Sequence, residues 1–114
     1  MSASGPAVVV TRIDEKPISE AERSDLLGTV ASAAKNMRLL DHEDEPVTPR
    51  VHEPESSTTQ LAILLFSSYV YDAMPDEVRE DEDATWTEHG ATLAAPIHAK
   101  SPDVYRIDCY YVED

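Results

Sequence analysis

The chain has 114 residues, 41% of them hydrophobic, a length and composition that support one packed domain and exclude a disordered or fibrous chain. Its 23 acidic residues outnumber three lysines and six arginines to give a formal charge of −14, which opposes direct binding to nucleic acid or to an anionic membrane face. The single Cys109 excludes an internal disulfide, and residues 61–66, the longest apolar run, fall far short of the roughly 20 that span a bilayer.

No basic start followed by an apolar stretch and a small-residue cleavage site lies near Met1, so the expected location is intracellular (cytoplasmic) or within a virion. An acidic surface this poor in lysine also fits a halophile. Carboxylates hold water and ions, and their mutual repulsion is screened once the Debye length falls to about 3 Å near 1 M salt.

Residues 1–6 are small and polar. Val8, Val9, Val10, Thr11 and Ile13 then form a β-branched run that predicts a strand over residues 7–13, buried on both faces for most of its length. Pro17 precedes Ser19 and Glu22, a capping-box pair, and Glu20, Glu22 and Asp25 complement the positive end of a helix starting at Ser19 or Glu20. Leu26, Val30, Ala33, Met37 and Leu40 recur at alternating four- and three-residue steps, and Leu27 and Ala34 widen this apolar stripe. Gly28 within it reads as a tolerated cost of about 1 kcal/mol relative to Ala rather than a point of close packing.

Residues 41–59 hold His42, Pro46, Pro49, His52 and Pro54 and leave room only for a short edge strand around residues 47–52. Residues 61–74 admit two readings. As a helix they follow a Ser57 and Gln60 capping box, place Ala62, Leu65, Phe66, Tyr69, Val70 and Ala73 on one face, and stop at Pro75. As a long central strand, residues 60–71 use Ile63, Phe66, Tyr69, Val70 and Tyr71. A polar, acidic connection over residues 75–83 allows a helical turn at 76–79. Residues 85–89 and 92–98 then read as a hairpin about Gly90, with Pro96 confining the second arm to an edge. Finally Tyr105, Ile107, Cys109 and Tyr111 alternate with Arg106, Asp108 and Tyr110, the pattern of a half-buried antiparallel strand. The sum is one small α+β domain over residues 1–114, with an N-terminal strand, one long amphipathic helix, a second helix or long strand, and a C-terminal antiparallel sheet.

Motifs that carry chemistry are missing from this pattern. His42, His52, His89 and His98 lack the close pairing of a closed zinc site and read as exposed, and the acidic runs 42–45 and 80–83 lack the glycine-turned spacing of a calcium loop. Ser67, Ser68 and Cys109 have no nucleophile motif around them, and Cys109 reads as a small core residue of the last strand. Glycines only at 5, 28 and 90 cannot build a phosphate-cradling loop. No catalytic, cofactor-binding or metal residues are therefore assigned, and no cofactor or small molecule is implied. The aromatic residues suggest contact instead: Tyr105 and Tyr111 belong to the core face, while Tyr110 beside Arg106 on the opposite face, together with Trp86, are the candidates for an interface. The leading expectation is a non-catalytic structural or interaction subunit of a larger assembly, such as a virion component from a halophile, with protein partners or copies of itself. The alternatives are an acidic mimic of nucleic acid that inhibits a basic protein, and a small enzyme of unknown reaction.

Overall fold

The computed structural model describes residues 3–113; Met1, Ser2 and Asp114 lie outside the described residues. Along the chain run β1 (Ser4–Arg12), α1 (Glu20–Met37), β2 (Arg50–Val51), a 3-10 turn (Glu53–Glu55), β3 (Gln60–Leu64), α2 (Tyr69–Ala73), α3 (Asp76–Lys100) and β4 (Tyr105–Glu113). The four strands form one sheet in the order β2-β3-β1-β4, and every neighbouring pair is antiparallel. β3 is thus inserted between β1 and β2, the split βαβ or ferredoxin-like arrangement, which by itself carries no function.

The α+β architecture agrees with the sequence pattern, and the local reasons hold for the ends of the chain. β1 is buried on both faces because it is central: Val8 and Val10 point toward the helices and Ala7 and Val9 toward the opposite face. It starts earlier than the β-branched run indicates, at Ser4. Gly5 is required there, since a Cβ on it would overlap the Phe66 carbonyl. The capping box at Ser19 is present in both directions, with the Ser19 Oγ accepting from the Glu22 N–H and the Glu22 carboxylate accepting from the Ser19 N–H. α1 buries Leu26, Val30 and Ala34. Val30 is wholly inaccessible, and burying a side chain of its size contributes about 2 kcal/mol. Gly28 faces open space, as a tolerated glycine does. The short edge strand is β2, and β4 spans the whole of the C-terminal alternation.

The middle of the chain corrects three expectations. Residues 61–74 are neither one helix nor one strand. Residues 61–64 are buried on both faces because β3 is a central strand, Leu65 and Phe66 pack into the helix-side core beyond its end, and the helix begins only after Ser68, whose Oγ accepts from the Val70 N–H. Ser57 caps no helix; its N–H donates to the Gln60 carbonyl in a turn ahead of β3. The hairpin about Gly90 is absent, because residues 76–100 form the single helix α3. Trp86, Gly90, Leu93, Ala94 and Ile97 are its buried stripe at helical spacing. Threonine hydroxyls at 85, 87 and 92 donate to carbonyls four residues back, which satisfies each hydroxyl within the helix. Pro96 deprives the Thr92 carbonyl of its helical donor, but both residues are exposed and water can replace the lost bond.

α1 and α3 pack side by side on one sheet face and close the main core with Val8, Val10, Leu61, Ile63 and Tyr105. On the other face, Ala7, Val9, Ala62, Leu64 and Val112 form a second buried cluster.

Candidate interaction surface

β4 is the outer strand of the sheet. Its register with β1 runs from Ser4↔Glu113 to Arg12↔Tyr105 without a bulge, and among the described residues no strand pairs with its far side. The strand contains no proline, so nine consecutive residues present one continuous free edge. The alternation expected from the sequence is observed: Tyr105, Ile107, Cys109 and Tyr111 belong to the helix-side core, and Arg106, Asp108 and Tyr110 share the opposite face. There the Arg106 Nε lies 3.3 Å from Asp108 Oδ2, with the two side chains 69% and 48% exposed.

Tyr110 is 42% exposed yet not idle. Burial and then the nearby Glu55 carboxylate push its phenol above the ordinary tyrosine range. Glu55 lies in the turn beside β3, and Tyr110 stands opposite Ala7 in the β1–β4 register, on the face where Ala7 and Val9 are 2% and 1% exposed. A free strand edge, an exposed ion pair and an aromatic ring therefore occupy one side of the molecule.

Trp86, the third residue singled out in the sequence, is in a different place. It is 7% exposed within the core, its ring edge-on to Phe66 at 4.8 Å and to His89 at 5.1 Å, with Nε1 donating to Glu82 Oε2 at 3.2 Å. The structure does not bring it to Arg106 and Tyr110. The histidines also depart from expectation. Only His98 is exposed; His52 is 4% exposed, and His42 and His89 are half-buried against Phe66 and Trp86. Among the described residues no three of His, Cys, Asp and Glu stand close enough to hold one metal ion. Cys109 packs against the helix-side core, where burial, and secondarily Asp108, push its thiol up and keep it protonated.

A polar cluster not anticipated in the sequence joins α2 and the start of α3 to the end of β4. Tyr71 stacks on Tyr111 with centroids 3.9 Å apart and planes 7° apart, lies under the Arg79 guanidinium at 4.8 Å, and donates to Asp83 Oδ1 at 2.8 Å. Ser4 donates to Asp72 at 2.7 Å nearby. Burial pushes the Tyr71 and Tyr111 phenols up, so both remain neutral; Tyr71 donates to Asp83, whereas the buried Tyr111 hydroxyl has no hydrogen-bond partner among the described residues. The signal was Tyr71 and Arg79 at eight-residue spacing about Pro75, legible only once two helices are known to meet there. Among the described residues no helix is long and apolar enough to cross a membrane. The chain matches no known protein-family model, curated protein or solved structure.

Proposed function

We propose that the domain is a non-catalytic interaction subunit that joins copies of itself through the free edge of β4. The observation that supports this reading is the unbroken nine-residue edge, because unpaired N–H and C=O groups in a row are a template for a further strand. Two-fold antiparallel pairing centred on Ile107 engages residues 105–109 of each nine-residue strand and sets Arg106 opposite Asp108 of the second copy and Asp108 opposite its Arg106. Opposite charges facing each other across strands favour that register. A many-subunit particle formed in concentrated salt, such as a virion, is the setting that suits a subunit of charge −14.

Sedimentation of the purified chain in about 1 M potassium chloride, where the Debye length is about 3 Å, tests the reading. A dimer or larger species whose population rises with protein concentration is expected. A monomer at every concentration up to the millimolar range would contradict it.

A second reading has its own support. The exposed side of α3 carries Asp76, Glu77, Glu80, Asp81 and Glu88 on a rigid helix, an arrangement suited to occupying a basic groove in place of phosphates. Binding to a basic nucleic-acid-binding protein that weakens steeply with salt would favour it.

A further inference from the structure

α1 ends at Arg38, which takes a left-handed backbone (φ 55°) with its N–H bonded back to the Ala34 and Lys35 carbonyls. The chain then reverses through a tight acidic loop in which Asp41 Oδ1 accepts from the N–H groups of Glu43 and Glu45. It returns alongside the helix: Leu40 bridges to Pro46, and the Val47 N–H donates to the Leu39 carbonyl at 3.1 Å. Between the end of α1 and this returning segment lies a groove of about 470 Å³, within the size range of small-molecule sites.

The groove is walled by Ala34, Leu39, Val47 and Pro49, and its only ionisable lining residues are Lys35 and Arg38. In a chain with 23 acidic residues, that lining contains no carboxylate. The two cations complement the negative end of α1 but are not held by any carboxylate among the described residues. Arg12, Arg106 and Lys100 are paired with carboxylates, whereas among the described residues the Lys35 and Arg38 side chains have neither a hydrogen-bond nor an ion-pair partner. Two unpaired positive charges at the rim of an apolar trough are complementary to one class of ligand. We propose that this groove binds a small amphipathic anion, its apolar body along Ala34, Leu39 and Val47 and its carboxylate head between Lys35 and Arg38. The site is remote from the β4 edge in the sheet order and stands independently of the assembly reading.

Titration of the isotopically labelled full chain with decanoate, below the concentration at which decanoate aggregates, tests the proposal by amide NMR. Saturable 1:1 binding is expected, with shifts concentrated at residues 31–40, 47 and 48. Lys35→Gln/Arg38→Gln should weaken it at least tenfold, and decyltrimethylammonium, with the same tail and the opposite charge, should not bind there. Thr48→Glu, which adds a carboxylate to the lining at an exposed position, provides the same test should the double variant fold poorly. Decanoate shifts that do not saturate, that fall elsewhere, or that persist unchanged in either variant would overturn the proposal, as would equal binding of the cationic amphiphile.

Discussion

Gly90 of α3 sits against Cys109 of β4 so closely that a Cβ on the glycine would lie 3.0 Å from the Cys109 Cβ, nearer still to Sγ, and 3.8 Å from Val8 Cγ2. The helix backbone reaches the sheet only because this residue has no side chain. Gly28 of α1 has the opposite environment, where a Cβ would meet no heavy atom within 4 Å. Gly90→Ala should therefore destabilise the domain by about 1–3 kcal/mol through overpacking. Gly28→Ala should stabilise it by about 1 kcal/mol through helix propensity. Urea unfolding of the two variants checks this, and shifts of the same sign would refute the packing assigned to Gly90.

Gly90 also marks where the sequence stopped being legible. A glycine between threonine-rich segments, with Pro96 beyond it, has the composition of a turn and an edge. The helix is specified instead by Trp86, Leu93, Ala94 and Ile97, whose spacing is interrupted by the glycine that packs closest. The strand–helix boundary at Ser67 and Ser68 was obscured for another reason: β3 is central, so its apolar run has no period to distinguish it from a buried helix. The outer elements were legible because each has one wet face. α1 carries its cap and stripe, and β4 its alternation, which correctly put Arg106 and Tyr110 on the face away from the helices. Trp86 could not be assigned from composition, since a tryptophan suits a core and an interface equally.

Val30 lies at the centre of the α1 contact with the sheet and is wholly buried. Val30→Asp would place a carboxylate there with no partner, a cost of several kcal/mol that exceeds what a small domain can absorb. The variant should be largely unfolded by circular dichroism at 25 °C. A wild-type melting midpoint would contradict the packing described for α1.

Tyr105 donates to Glu22 Oε2 at 2.6 Å, and Glu22 also accepts from the Arg12 guanidinium and the Ser19 N–H. Burial, reinforced by the Glu22 carboxylate, pushes the Tyr105 phenol up to about 12 from 10.0. The folded state thus favours the neutral phenol. Its contribution is complete below pH 10 and is lost as pH rises through about 12. Glu22 is held below its ordinary range by the Tyr105 hydrogen bond first, so its contribution is lost in acid. Tyr105→Phe should lose about 1–2 kcal/mol at pH 7 and should show a shallower fall in stability above pH 10 than the wild type. Parallel alkaline profiles for the two proteins would count against this bond.

At a formal charge of −14, self-repulsion should lower stability in dilute buffer, and added salt should raise the melting midpoint. A midpoint still climbing well past 1 M potassium chloride, where screening has saturated, is the outcome expected of a halophilic surface. Levelling off by a few tenths molar would instead match the acidic-mimic reading. A flat midpoint from dilute buffer to about 3 M salt would contradict both.

Association through β4 is tested most directly by exchanging its two charges. Arg106→Asp would set one carboxylate against another, that of Asp108 in the second copy, across the two-fold pairing and should shift the chain to monomer. Arg106→Asp/Asp108→Arg restores opposite charges across the interface and should recover the assembled mass by sedimentation, with both variants melting near the wild type because the two positions are exposed. Loss of association in the single variant and its recovery in the double variant is the result this account requires. An assembled mass unchanged by the single reversal, or not recovered by the exchange, would contradict pairing through the β4 edge.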